Sequence, residues 1–247
     1  MATSVHYVEL TPQDFRQRLA EAPIAYLPLG TLEWHGEHLP LGSDGLQSGG
    51  FFVELAKRVG GVVLPMLFLG PDRHEQANGR DYYGMDLYGF AEGQPQQLDG
   101  SAYWVSNELF GHIVEAILER LARAGFKIVV AHGHGPSGHF FEDHIATWSK
   151  QFGLELYTCW RPRSEEADGL GIMTDHAAAN ETSLMMALHP DLVHLDRLSS
   201  DPAVWPVAVS GRDPRTEASA ERGRRAIDLQ AERMASILRE ALARRSA

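Results

Sequence analysis

The sequence has 247 residues, of which 44% are hydrophobic and 22% charged, a composition typical of a globular chain that buries a sizeable core. Its formal net charge of −11 disfavours a nucleic-acid partner, because phosphate binding relies on clustered lysine and arginine. No stretch approaches the roughly 18 uninterrupted apolar residues of a membrane span, and we expect no signal peptide. The single cysteine, Cys159, excludes an intramolecular disulfide and suits a reducing cytoplasm, where we expect the protein to reside.

Helix and strand patterns alternate in the first part of the chain. Thr11 followed by Pro12 is typical of a helix start, with threonine as the N-cap and proline in the first helical position. The apolar run 24–30 predicts a buried strand, and residues 43–58 predict a helix that the following glycine pair ends. The run 62–69 predicts a second strand.

The pattern fails between about residues 70 and 105. This stretch is rich in glycine, aspartate, tyrosine and glutamine and has no period near 2 or 3.6 residues, so it predicts a long insertion or lid. Its polar and aromatic residues suit a polar, ring-shaped substrate, although a subunit interface could demand the same residues. They are Asp72, Arg73, His74, Glu75, Asn78, Arg80, Asp81, Tyr82, Tyr83 and Trp104.

Periodicity returns in the second part of the chain. Apolar residues from Phe110 to Leu121 share one helix face, and Gly125 ends that helix. Residues 127–131 predict a third strand, and another helix continues to about Phe152. The sequence then predicts a strand over 154–159, a polar linker over 161–169 and a closing amphipathic helix. The apolar side of that last helix carries Ile227, Ala231, Met234, Leu238 and Ala241.

Strands that alternate with helices predict a mostly parallel sheet covered by helices on both faces. We find no internal repeat and no convincing domain boundary. The sequence therefore predicts an α/β fold, a single-domain three-layer sandwich over residues 1–247 with the insertion at about 70–105.

The first polar cluster, Glu33–Asp44, directly follows the first predicted strand. In parallel sheets, sites form at the carboxyl ends of the strands. Within a dozen positions this cluster offers three carboxylates and two imidazoles, a mixture that suits Zn, Mn or Fe. The alternative is a polar surface loop whose histidines are incidental.

The second cluster, His132–His139, interleaves three histidines with glycine after the third predicted strand. Glycine lets the backbone approach a ligand closely, and neutral imidazole is a common metal ligand. The glycines could instead serve only a tight turn from strand to helix.

The third cluster places Asp175 beside His176 and ends with Glu181, Thr182 and Ser183. The aspartate could orient the imidazole or raise its pKa, which would make His176 a general acid or base. Glu181 could serve the site, or it could act as a first-turn residue of the helix that follows.

Together these three clusters resemble the creatininase (creatinine amidohydrolase) superfamily. Members share a Glu-x-His-Gly-x-His-Leu-Pro segment ending in aspartate, an Asn-Gly-His-Gly-Gly-Asn-like loop, and a His-x-x-x-x-Glu-Thr-Ser segment before Pro-Asp-Leu-Val. Here these segments are Glu33–Asp44, His132–Ser137, and His176–Ser183 followed by Pro190–Val193. Their order and spacing match, and the resemblance covers nearly the whole chain except residues 70–105.

The resemblance implies a two-metal hydrolase on a compact α/β fold, usually assembled as a hexamer. Asp44 would bridge both metals, Glu33 and His134 would complete one site, and His35 would belong to the other. We therefore expect one or two divalent ions per chain (Zn, Mn or Fe), a small-molecule substrate and a homo-oligomer.

One position departs from the family pattern. Creatininase takes a glutamate for its second metal from the His-Gly-rich loop, two residues after the histidine, and this chain has Pro136 there. Either Glu181 or a water replaces that ligand, or the second site is weak or empty. The resemblance also implies that His176 is the catalytic histidine, with Asp175 as its acidic neighbour.

The function that follows is hydrolysis of a small, cyclic, polar substrate. A divalent metal can lower the pKa of bound water from 15.7 to about 7, so that hydroxide can attack a carbonyl at neutral pH. Two alternatives stay open at this point. One is a keto-cyclitol hydrolase that opens a diketo-inositol ring by carbon–carbon cleavage, and the other is a metal-stabilised binding protein without turnover.

Overall fold

The computed structural model describes residues 4–77, 79–87, 103–159 and 170–246. The strands are β1 (Ile24–Leu29), β2 (Val62–Val63), β3 (His74–Ala77), β4 (Arg80–Tyr83), β5 (Ile128–Gly133) and β6 (Glu155–Thr158). The helices are α1 (Pro12–Glu21), α2 (Ser43–Val59), α3 (Asn107–Ala124), α4 (Gly135–Phe152), α5 (Ala179–Leu188), α6 (Pro214–Glu217) and α7 (Ala220–Ser246). Four strands form a parallel sheet in the order β2–β1–β5–β6, and β3 pairs with β4 in a separate antiparallel hairpin.

The two faces of the parallel sheet are covered by different helices. Side chains alternate across a strand, so Tyr26 and Val130 pack into one core with α2, α5 and α7. Leu27 and Ala131 pack into the other core, which α1, α3 and α4 cover. Both central strands, β1 and β5, are buried along their whole length. The predicted three-layer α/β sandwich is confirmed.

The ends of two helices are set as the sequence predicts. The hydroxyl of Thr11 accepts a hydrogen bond from the backbone of Asp14, whose carboxylate accepts one in return from the Thr11 backbone N–H. At the end of α3, Gly125 adopts a left-handed conformation with φ of 103°.

The closing helix α7 buries one side only. Its predicted apolar residues all lie in the core shared with α2 and α5. They are Ile227, Ala231, Met234, Leu238 and Ala241. The described parts of the chain contain no helix with both the length and the apolar character that a bilayer crossing requires.

Two sequence predictions need correction. The strand predicted over 62–69 is only two residues long, because Pro65 has no N–H to donate to a ladder. Hydrogen bonding to β1 resumes at Leu67, whose N–H donates to the carbonyl oxygen of Pro28 at 2.9 Å.

The segment predicted at about 70–105 as a long loop or lid without regular periodicity contains the hairpin β3–β4 and a 3-10 turn at Gly84–Leu87. The predicted linker 161–169 lies outside the described residues.

The sheet brings two loops to one edge. β1 and β5 are hydrogen-bonded neighbours in which Leu29 pairs with Gly133, so their carboxyl ends lie side by side. Gly133 has a φ of 146°, and a Cβ at this position would lie 1.7 Å from the carbonyl oxygen of Leu29. Only glycine allows this approach, and the residue that follows it is His134.

Gly133→Ala is expected to destabilise the protein by more than about 3 kcal/mol, because the methyl group has no space and the backbone conformation is strained. Gly135→Ala is the matched control, since a Cβ there meets no atom within 4 Å. Urea unfolding of both variants measures the difference. Equal stability of the two variants would contradict this account of the strand end.

Candidate metal centre and active site

The carboxylate of Asp44 lies at the centre of the site. Asp44 is in the first turn of α2, and it is almost completely buried. Its Oδ1 is 3.2 Å from Nε2 of His35, and its Oδ2 is 2.9 Å from Nδ1 of His134. One carboxylate therefore faces two imidazoles, each from a different loop.

The first group of possible metal ligands consists of Glu33, Asp44 and His134. Nδ1 of His134 lies 3.3 Å from Oε1 of Glu33, in addition to its contact with Asp44. One ligand atom from each of the three residues lies within 4.8 Å of the others, and all three residues are buried. Carboxylate and imidazole donors at this separation can hold one divalent cation.

The second group consists of His35, Asp44 and Glu181, and it satisfies the same distance limit. Oε2 of Glu181 is 3.6 Å from Nε2 of His35. The same oxygen accepts a hydrogen bond from the backbone N–H of Ala177 at 2.8 Å. Glu181 is thus both a residue of the first turn of α5 and a member of the cluster, so the two roles considered for it coexist.

Burial and mutual charge fix the protonation of this cluster. Burial raises the pKa of Glu33 and, more strongly, that of Glu181. Burial also acts to raise the pKa of Asp44, but the imidazoles beside it hold that pKa well below its usual range. For His35, burial favours the neutral form, yet the carboxylates outweigh it and raise its pKa to about 10. Without a cation, protons on the imidazoles balance the buried acids, and a divalent cation can take their place.

His176 lies against the same cluster, and with Glu33 and His35 it forms a third group that satisfies the same distance limit. Its ring packs against that of His35 at a tilt of 32° with centroids 4.4 Å apart, and its Nε2 donates a hydrogen bond to the carbonyl oxygen of Trp34 at 2.7 Å. Burial, helped by the charge of His35, lowers the pKa of His176 to about 3. The ring is therefore neutral near pH 7, with its proton on Nε2 and a lone pair on Nδ1.

Asp175 does not orient the imidazole of its neighbour. Its two carboxylate oxygens accept hydrogen bonds from the backbone N–H groups of Asn180 and Glu181, at 2.7 and 3.1 Å. Asp175 thus caps the start of α5. The imidazole of His176 is instead oriented by the main-chain carbonyl of Trp34. A direct catalytic role for Asp175 stays a prediction.

A cavity of about 200 Å³ opens onto these groups. Three further residues line this cavity, and the sequence did not place them at the metal cluster. They lie in or next to the hairpin β3–β4, which the sequence did not predict. They are Asp72, Arg73 and Met85. Asp72 is the nearest of them to the cluster, with Oδ2 3.3 Å from Nε2 of His134.

The other histidines of the two clusters support the site without entering it. Nε2 of His38 donates to the hydroxyl of Thr182 at 2.9 Å, which ties the loop after β1 to α5. Nε2 of His132 faces the carbonyl oxygen of Ile172 at 3.3 Å, and burial lowers the pKa of this histidine to about 4. His139 is exposed on α4. Of the three histidines in the second cluster, only His134 reaches the candidate metal ligands.

Comparison with known proteins gives consistent results. The family model described as "Creatininase: Creatinine amidohydrolase" matches residues 8–238. A creatinine amidohydrolase from Pseudomonas putida is 29% identical, over 83% of this chain and 80% of that protein.

Solved structures of creatininases have the same fold. A mutant creatininase described as Zn-Zn type is 25% identical and superposes with a TM-score of 0.72, over 97% of this chain and 99% of the other. A creatininase described as Mn is also 25% identical, with a TM-score of 0.71 over 96% and 98%. Because the family match spans most of the sequence, this chain belongs to the creatininase family of amidohydrolases.

Proposed function

We propose that the protein is a two-metal hydrolase that opens a small cyclic amide. The observation that carries the proposal is the position of Asp44, whose two oxygens face two different imidazoles. Each imidazole has a carboxylate of its own, Glu33 for His134 and Glu181 for His35. The zinc and manganese forms of related creatininases support divalent metals as the cations that this arrangement binds.

Glu181 would hold the second metal in place of a ligand from the His-Gly-rich loop. Pro136 stands at the position where the family resemblance leads us to expect a glutamate, and its side chain has no donor atom. Glu181 comes from the first turn of α5, and its carboxylate belongs to the group with His35 and Asp44. The ligand set is thereby restored from a different element of the fold.

Divalent cations held by these residues supply Lewis acidity, which polarises a carbonyl and lowers the pKa of water. The protein supplies the remaining functions. His176 lines the cavity, where its imidazole would carry a proton from the attacking water to the departing nitrogen. The hydrogen bond from Nε2 to Trp34 fixes the ring for this transfer.

The cavity favours a small substrate. Its volume of about 200 Å³ lies below the roughly 300–1,000 Å³ of pockets that bind drug-sized molecules. Relatives named for creatinine hydrolysis support cleavage of an amide C–N bond over carbon–carbon cleavage of a diketone. A compact cyclic amide with polar substituents fits both observations.

The first prediction concerns metal content. Elemental analysis of the purified protein is expected to give about two divalent ions per chain, and Asp44→Ala is expected to lose both. Glu181→Gln is expected to lose about one ion, since only one group contains this residue. Glu37→Gln alters an exposed glutamate of the same loop and serves as the matched control. Wild-type protein that stays metal-free after reconstitution would overturn the proposal.

The second prediction separates catalysis from a structural role for the metals. His176→Ala is expected to keep its metal content and lose about 10²–10⁴-fold in kcat on a cyclic amide, the usual contribution of a general acid–base group. His139→Ala, which changes an exposed histidine, is expected to retain activity. Product analysis should find a new carboxylate together with a new amine. If chelation unfolded the protein and no cyclic amide reacted, the protein would be a metal-stabilised binding protein.

A further inference from the structure

Asp72 makes a contact with the metal cluster that the proposed ligand set does not use. Its Oδ2 lies 3.3 Å from Nε2 of His134, and its side chain is 11% exposed. The opposite ring nitrogen, Nδ1, faces Glu33 and Asp44 at 3.3 and 2.9 Å. Nδ1 therefore faces two carboxylates, whereas Nε2 is buried without a hydrogen-bond partner among the described residues and has the carboxylate of Asp72 3.3 Å away.

This arrangement assigns a different task to each nitrogen. A neutral imidazole carries one N–H and one lone pair, so it can donate to only one side. If Nδ1 binds a cation held with Glu33 and Asp44, its lone pair is used there. The proton must then be on Nε2, and the carboxylate of Asp72 is close enough to accept it once the two side chains align.

Asp72 is itself held in place by the segment around the hairpin β3–β4. Its Oδ1 accepts the backbone N–H of Arg73 at 2.7 Å, and its carbonyl oxygen accepts the indole N–H of Trp104 at 3.3 Å. The backbone N–H of Gly84 donates to the carbonyl oxygen of Arg73 at 2.8 Å, which closes the segment over the site.

Gly84 leaves the space that this carboxylate needs. A Cβ on Gly84 would lie 2.3 Å from Oδ2 of Asp72 and 3.2 Å from Oε2 of Glu33. With a φ of 53°, the position also suits glycine conformationally. The close approach of Gly84 thus packs Asp72 and Glu33 around His134.

We propose that Asp72 is a positioning residue that holds the Nε2 proton of His134 and so directs Nδ1 to the first metal. The inference rests on the proposed two-metal function. Carboxylates that hold the second N–H of a ligating histidine typically raise metal affinity about 10–100-fold. Asp72 would thus set the affinity for one ion of the pair. It would do so from the segment that the sequence predicted to be a lid.

The test is a competitive titration of Zn²⁺ and Mn²⁺ into chelator-treated full-length protein. Asp72→Ala is expected to weaken one ion of the pair about 10–100-fold and leave the other unchanged. Asp72→Asn keeps a carbonyl that can accept the Nε2 proton, so its loss should be smaller. Asp81→Ala and Asp81→Asn are the matched controls, because Asp81 is an exposed aspartate of the same hairpin that contacts His74 and Gln76.

A second readout reports on the proton itself. In the zinc-loaded wild type, an imidazole N–H resonance assigned to Nε2 of His134 is expected to exchange slowly with solvent, and in Asp72→Ala it should be lost. A resonance of His134 Nε2 that exchanges as slowly in Asp72→Ala as in the wild type would overturn the proposal.

The two proposals fail in different ways. Wild-type protein that binds no metal would remove the basis of both. Wild-type protein that binds two ions, with unchanged affinities in Asp72→Ala, would refute the role of Asp72 alone. Equal weakening of both ions would also refute it, since His134 belongs to only one group.

Discussion

The carboxylate of Asp44 must stay ionised in a position that water hardly reaches. Removing an ion from water costs several kcal/mol even after a protein relaxes around it, and three acids are buried together here. Two imidazoles offset part of that cost, since His35 and His134 each lie within 3.2 Å of Asp44. Such a cluster is balanced by protons on the imidazoles or on the glutamates, or by cations in their place. The need for that charge explains why carboxylates and imidazoles alternate around the site.

The fold meets this requirement by bringing separate parts of the chain to one edge of the sheet. β1 leads into the loop with Glu33 and His35, and its neighbour β5 leads directly into His134. The start of α2 supplies Asp44, and the start of α5 supplies Glu181. The elements are rigid where the ligands attach, because β1 and β5 are buried on both faces. The precision of the site therefore derives from the central strands, with loops only a few residues long between strand and ligand.

Much of this could be predicted from the sequence, because the central strands are apolar runs and the ligands follow them at once. Glu33, His35, Asp44, His134 and Glu181 were all expected at one site, and the structure places them in two adjoining groups. The hairpin β3–β4 escaped prediction because His-Glu-Gln-Ala and Arg-Asp-Tyr-Tyr lack a clear alternation of apolar residues. Without the hairpin, nothing in the sequence could indicate that Asp72 meets His134, a contact between distant parts of the chain. Sequence proximity was also misleading at Asp175, which is adjacent to His176 but directs its carboxylate to backbone N–H groups of α5.

The turn from Asp175 to Glu181 shows how one local conformation can set two functions. His176 is paired through its backbone with Ser210, and the next residue, Ala177, has a φ of 51°, a strained value for a residue with a Cβ. Asp175 offsets that strain by capping α5, and Glu181 accepts the N–H of Ala177. The ring of His176 and the carboxylate of Glu181, at the two ends of this turn, both line the cavity. Through its hydrogen bonds to the backbone of α5, Asp175 thus helps to fix the imidazole of His176 relative to the carboxylate of Glu181.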